Sequence, residues 1–235
     1  MYKRVLLKLS GEQLSGAFDN GFDTKTANYL AKEIKKVTKT GCQLALVVGG
    51  GNMVRGAQIA GQGIRRVTGD QMGMLSGLIN SMALTDIFES QDIPTRCLSN
   101  IFADQVAEAF SYRRAIKHLD HGRVIIVAGG IGRPYFTHDT AAVNLALELD
   151  CQAVFKATKT DGVYDKDPNK YKDAKRLTKL NYQEAVSNPE ITVMDKAAMG
   201  LAMEHGIPLI VFDAMKAGNI ARAIKGETVG TTITG

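Results

Sequence analysis

The chain has 235 residues, 45% of them hydrophobic and 23% charged, with a formal net charge of +5. That composition suits a globular protein with a sizeable core and excludes a disordered chain. No apolar run reaches the roughly 18 to 20 residues of a membrane span, and the opening MYKRVLLKLSGE lacks a signal peptide's apolar segment, so a cytoplasmic protein is expected. The basic residues are scattered and no aromatics interleave with them. This argues against nucleic-acid and membrane partners and leaves small phosphorylated ligands to match the positive charge.

In chain order, VLLKLS at 5–10 reads as a short buried strand, and Ala27, Leu30, Ile34 and Val37 recur at helical spacing up to Gly41. LALVV at 44–48 is the next strand and runs straight into Gly49, Gly50 and Gly51. A longer helix follows Asp70, with Leu75, Leu78, Ile79 and Met82 on one side. Met72, Met74 and Met82 are expected to fill gaps in the core or at a subunit interface. Strand TRCL at 95–98, a helix around 105–119 and strand RVIIVA at 123–128 lead into the corner AGGIGRPYFTHDTAA at 128–142. A helix over about 139–149 and strand AVFKAT at 153–158 follow. DGVYDKDPNKYKDAKR at 161–176 is polar, as a surface loop should be, and strands at 208–214 and 230–234 resume the pattern.

Strand alternating with helix predicts an α/β fold, with a mainly parallel central sheet sandwiched by helices on both faces. A single domain over 1–235 is expected, with two lobes dividing near residue 150. Cys42, Cys97 and Cys151 stand far apart with no CxxC pair, and read as buried free thiols rather than as disulfides or zinc ligands.

Four strand ends carry glycine or small polar residues: Lys8 to Gly11, Gly49 to Arg55, Gly129 to Asp139, and Thr158 to Tyr164. Ligands of open α/β sheets bind beyond the carboxyl ends of the strands, and glycine lets backbone N–H groups approach an anion. The corners therefore read as a phosphate cradle. It is not a P-loop, because no Gly-Lys dipeptide occurs, and no intact G-x-G-x-x-G, HRD, DFG or G-x-S-x-G is present.

Six motifs then follow one order: KLSGE at 8–12, GGGNMVRG at 49–56, DQMGM at 70–74, GIGRPYFTHD at 130–139, KATKTDGVYDKDP at 156–168 and VMD at 193–195. Together they resemble the bacterial uridylate kinases of the amino-acid kinase superfamily, over essentially the whole chain. The resemblance implies an amino-acid kinase-like αβα fold and transfer of the γ-phosphoryl group of Mg-ATP to UMP, giving UDP and ADP in pyrimidine nucleotide biosynthesis. It also implies a UMP-binding lobe over about 1–150 and an ATP-binding lobe over about 151–235. Mg2+ would arrive with ATP, with no residue assigned as its ligand. A homohexamer, UTP as inhibitor and GTP as effector are further implications, although GAFDNG at 16–21 does not decide the last.

By the same resemblance Lys8 and Asp139 are catalytic. Lys8, Leu9, Ser10, Gly11, Gly51, Arg55, Thr158, Tyr164 and Asp167 would bind ATP. Gly50, Asp70, Ile131, Gly132, Arg133, Pro134, Tyr135, Phe136, Thr137 and His138 would bind UMP, with Asp195 as possible support. The residues themselves leave alternatives beside these roles. Lys8 could be an edge-strand surface lysine, and Gly50 and Gly51 a turn needing positive φ. Asp70, Asp139 and Asp195 could each cap a helix. His138 stands where the family has a hydroxyl and Arg133 where a smaller residue is usual. The imidazole either donates to the UMP phosphate, making binding sensitive to pH near 6.5, or points away. Lys156 and Lys159 either meet phosphates or are solvated. Two other functions compete: a kinase of carboxylates or carbamate, against which Asp70 and residues 131–138 argue, and a noncatalytic nucleotide-binding regulator, against which Lys8 argues.

Overall fold

The computed structural model describes residues 1–18, 20–168, 170–191 and 193–235; Asp19 of the 16–21 segment, Asn169 of the polar loop and Thr192 lie outside the described residues. The first half runs β1 (Arg4–Leu9), α1 (Gly11–Leu14), α2 (Thr24–Thr38), β2 (Gln43–Val48), α3 (Gly56–Ile59), α4 (Arg66–Ser90), β3 (Thr95–Ser99), β4 (Glu108–Ala109), α5 (Tyr112–Asp120) and β5 (Val124–Ala128). The second half runs α6 (His138–Glu148), β6 (Val154–Thr158), β7 (Val163–Tyr164), β8 (Arg176–Leu177), β9 (Lys179–Asn181), α7 (Tyr182–Ser187), α8 (Lys196–His205), β10 (Leu209–Asp213), α9 (Asn219–Ile224) and β11 (Thr231–Thr234).

Nine strands form one sheet in the order β4-β3-β5-β2-β1-β6-β10-β11-β9, and β7 pairs with β8 apart from it. Within the nine-stranded sheet only β10 and β11 pair antiparallel. The apolar runs of the central strands follow from this, since a parallel sheet is covered on both faces. Leu6, Val47, Val127 and Val154 pack on one side with Ala115, Leu145, Ala198 and Met199 of α5, α6 and α8. Val5, Leu7, Leu46 and Phe155 pack on the other with Leu30, Ile34, Leu84 and Phe88 of α2 and α4 and Ile220 of α9. The three cysteines are buried free thiols, as expected. Burial raises them, Cys42 and Cys97 to about 11 and Cys151 to about 12.

Several local expectations are corrected. The helix expected from about 105 begins at Tyr112, because Glu108 and Ala109 pair with the end of β3 and Ser111 caps the helix that follows. The long helix begins at Arg66, so Asp70 lies within its second turn and is not its cap. Leu75, Ile79 and Met82 point outward, at 52%, 51% and 37% exposure, while Met74, Leu78, Leu84 and Phe88 face the core. Val163, Tyr164 and Arg176, at the ends of the predicted polar loop, form a small antiparallel pair.

The glycine-rich end of β2 is held by two buried asparagines. Asn80 of α4, fully buried, donates to the Gly49 carbonyl at 2.8 Å and to Asn52 Oδ1 at 2.7 Å; Asn52 returns a bond to Asn80 Oδ1 at 3.0 Å and reaches the Gly21 carbonyl at 2.7 Å. Every polar atom of the Asn52 and Asn80 amide pair is thereby matched. Asn80→Ala would leave Asn52 Oδ1 and the Gly49 carbonyl without their Asn80 donor in the core. We expect a loss of about 1–3 kcal/mol, read as a lowered Tm in thermal denaturation; an unchanged Tm would show that the pair is dispensable.

Candidate active site

Lys8 and Lys156 stand at the same register on the adjacent parallel strands β1 and β6, so both side chains project to one face of the sheet. Asp139, in the first turn of α6, lies over them. Its carboxylate reaches Lys8 Nζ at 2.9 Å through Oδ1 and Lys156 Nζ at 2.7 Å through Oδ2. The three side chains are only 12%, 14% and 14% exposed for Lys8, Lys156 and Asp139. Burial alone would raise the Asp139 carboxyl, but the two lysines outweigh it and hold it below its ordinary value. Burial lowers Lys156, opposed by Asp139 and reinforced by Lys8. β1 is at the centre of the sheet, so the edge-strand reading of Lys8 is excluded.

The cap of α6 is Thr137, whose hydroxyl accepts from the N–H groups of Asp139 and Thr140; Asp139 is not the cap and is left to the lysines. Asp195 is a cap, accepting from Ala198 N–H at 3.0 Å at the start of α8, and it also accepts from the hydroxyls of Thr137 and Thr140. Lys156 donates in addition to the Val193 carbonyl. The segments around residues 8, 139, 156 and 195 are thus tied together at one point.

Two cavities flank the start of α6. The smaller, about 420 Å³, is lined by Gly50, Gly51, Arg55, Asp70, Ile131, Arg133, Phe136, Thr137 and His138, together with Glu12, Arg66 and Gly130. The larger, about 760 Å³, is lined by Asp139, Lys156, Thr158, Tyr164, Asp167 and Asp195 among others. Most residues expected at UMP therefore share one cavity, and Thr158, Tyr164 and Asp167, expected at ATP, share the other. Gly51 and Arg55, also expected at ATP, lie on the smaller cavity, where Arg55 pairs with Glu12. Gly132, Pro134 and Tyr135 complete the turn without lining either cavity. Leu9 is buried in the core, so only its backbone can face a ligand. Ser10 and Gly11 open α1, and Gln13 ties that turn to the Thr158 carbonyl at 3.3 Å. Lys159 is exposed and lines neither cavity.

The alternative reading of Gly50 and Gly51 as a turn of positive φ does not hold, because neither has positive φ. Gly50 is needed because a Cβ there would lie 2.5 Å from Ser76 Cβ and 2.6 Å from the Gly73 carbonyl, so that only glycine lets the loop touch α4. Positive φ belongs instead to Gly129, Gly130 and Gly132, and to one non-glycine residue of that corner, Tyr135 at +68°. Lys156, left open by the sequence reading, is brought into the site, and its signal is visible in retrospect: K8-L-S10 and K156-A-T158 place a lysine two residues before a hydroxyl at two strand ends.

His138 is turned inward. Its Nε2 is buried without a hydrogen-bond partner, 3.1 Å from where a Cβ on Gly77 would sit. Burial, and then the Lys8 cation, lower its pKa to about 4 against a weaker opposing effect of Asp139. The buried, unpartnered Nε2 and the lowered pKa favour the reading in which His138 points away from the phosphate.

Comparison with known proteins shows the family and the fold. The amino acid kinase family model matches residues 3–213. The chain is 48% identical to the uridylate kinase of Dichelobacter nodosus (strain VCS1703A) over 232 residues, 99% of this chain and 96% of that one. Its fold is similar to the crystal structure of UMP kinase from Bacillus anthracis, with a TM-score of 0.95, 39% identity and coverage of 99% and 96% of the two chains. The UMP kinase of Ureaplasma parvum gives a TM-score of 0.93 at 29% identity, covering all of both chains.

Because the folded-state pKa of His138 lies below the unfolded value of 6.5, the unfolded chain takes up that proton first. The His138 contribution to stability is therefore complete above about pH 6.5 and is lost as pH falls towards about 4. In NMR the His138 ring signals should stay at neutral-form positions from pH 8 to pH 5.5; a midpoint near 6.5 would contradict the buried, neutral imidazole.

Proposed function

This chain belongs to the amino acid kinase family as a uridylate kinase, transferring the γ-phosphoryl group of ATP to UMP to give UDP and ADP, and on that premise we propose which residues carry the reaction. The smaller cavity takes UMP and the larger takes ATP, so that the UMP phosphate and the γ-phosphate meet where Lys8, Asp139 and Lys156 join. That junction is the observation that carries the assignment, because two lysines held on one carboxylate supply preorganised positive charge where the transferring group becomes most negative. A UMP phosphate oxygen forms the new bond to phosphorus as the bond to the ADP oxygen breaks in line. The attacking oxygen is already anionic, so no general base is required, and positioning with charge neutralisation dominates.

In this reading Lys8 and Lys156 face the transferring phosphoryl group, and Asp139 keeps them in place. ATP lies along Leu9, Ser10, Gly11, Gly51, Arg55, Thr158, Tyr164 and Asp167, with Arg55, on the smaller cavity and paired with Glu12, released to a phosphate when ATP binds. UMP lies against Gly50, Asp70 and residues 131–138, where Arg133 adds a cation and Phe136 an apolar wall. Mg2+ would arrive on the ATP phosphates, where it would supply further charge neutralisation. Asp195 acts as a brace, through Thr137 and Thr140. The distribution of the lining residues supports a UMP lobe over about 1–150 and an ATP lobe over about 151–235.

A homohexamer is supported by the exposed apolar side chains Leu75, Ile79 and Met82 on α4, together with Phe102 at 96% exposure. GTP as effector is supported by a basic cavity of about 570 Å³ lined by Arg113, Arg114, Lys117 and Arg123, beside α5. UTP as inhibitor and a cytoplasmic location follow from the family and its substrates; among the described residues no helix is long and apolar enough to cross a membrane.

A coupled assay with Mg-ATP against UMP, CMP, dUMP, N-acetylglutamate and carbamate tests the assignment. UMP should be turned over, and Lys8→Ala should lower kcat by about 10²–10³-fold with the fold intact. Unchanged turnover in Lys8→Ala would remove that lysine from the mechanism.

A further inference from the structure

We propose that Arg66 and Tyr135 are positioning residues for UMP: Arg66 orients the Asp70 carboxylate, which pins Tyr135 and with it the 131–138 segment around the acceptor. The inference rests on the assignment of the smaller cavity to UMP. Arg66 and Asp70 stand one turn apart at the start of α4, and Arg66 Nε lies 2.9 Å from both Asp70 oxygens. Asp70 Oδ2 also accepts the Tyr135 N–H at 2.8 Å, across 65 residues of sequence. The Arg66 guanidinium then sits 5.5 Å from the centre of the Tyr135 ring, so that backbone and ring of Tyr135 are held from the same helical turn.

Tyr135 itself shows that this contact serves more than packing. Its φ of +68° is left-handed, a conformation that glycine adopts without cost and that the same corner gives to glycine at 129, 130 and 132. The tyrosine is 66% exposed, so its ring gives the core little in return. Strain at an exposed residue persists only where neighbours over-determine it, and here those neighbours are Asp70 and Arg66, both lining the UMP cavity. Among the described residues Asp70 Oδ1 is bonded to Arg66 alone and keeps acceptor capacity for a ligand hydroxyl, while Oδ2 secures the turn. Arg66 thereby determines which way the acceptor oxygen faces.

Steady-state kinetics and Tm of Arg66→Gln, Arg66→Lys, Tyr135→Gly and Asp70→Asn test this. Arg66→Gln should raise KM for UMP about tenfold while KM for ATP and kcat at saturating UMP stay within about twofold. Arg66→Lys should not restore it, because the ammonium lacks the planar fork. Tyr135→Gly should leave Tm equal or higher, as the strain is relieved, yet raise KM for UMP. An unchanged KM in Arg66→Gln beside a raised KM in Asp70→Asn overturns this inference and leaves the UMP cavity standing. An unchanged KM in Asp70→Asn overturns both. A Tyr135→Gly variant with lower Tm and unaltered KM makes the tyrosine structural and likewise overturns the proposal.

Discussion

The structure depends on one carboxylate shared by two lysines. Lys8 and Lys156 stand side by side at the ends of neighbouring parallel strands, largely withdrawn from water. Two ammonium groups in such a place repel one another and lose hydration, and a buried carboxylate without them would be as costly. Asp139 resolves both problems, and so fixes where α6 begins relative to β1 and β6. The threonine cap frees Asp139 for this role, and Asp195 braces the threonines from α8. Four segments distant in sequence are brought to one point by charge and hydrogen bonding, at the carboxyl ends of the central strands where an open α/β sheet binds its ligands.

Around that point the backbone is brought close by glycine. Gly50 lies against α4, and Gly11 lies against the Gly49 carbonyl, at separations where any Cβ would clash. The buried amides of Asn52 and Asn80 give the carbonyls and N–H groups of this loop a fixed direction. The result is two cavities that flank the first turn of α6, one lined mainly by residues from 50–138 and the other mainly by residues from 139–195. In-line transfer between two nucleotides requires this adjacency and little more of the protein than fixed charge.

Much of this is legible in the residues. The apolar strands and the order of the six motifs suffice for the fold class, and the glycine corners at the strand ends single out residues that line the two cavities. What escapes is long-range. That Asp139 is left to the lysines while Thr137 caps α6 depends on Lys8 and Lys156, which no local pattern records. The outward face of Leu75 and Ile79 reads as core by periodicity alone. Residues 177–207 carry weak apolar periodicity, and their burial comes from the packing of α7 against β9 and of α8 against α6. Lys156 could not be told from a solvated lysine until the pairing of β1 with β6 set it beside Lys8.

The most direct test of the shared carboxylate is a double-mutant cycle on kcat with Asp139→Asn, Lys156→Met and the double variant. If the two act as one unit with Lys8, the double variant should be no slower than the slower single variant, within about threefold. Losses that multiply would contradict that account and show that Asp139 and Lys156 contribute separately.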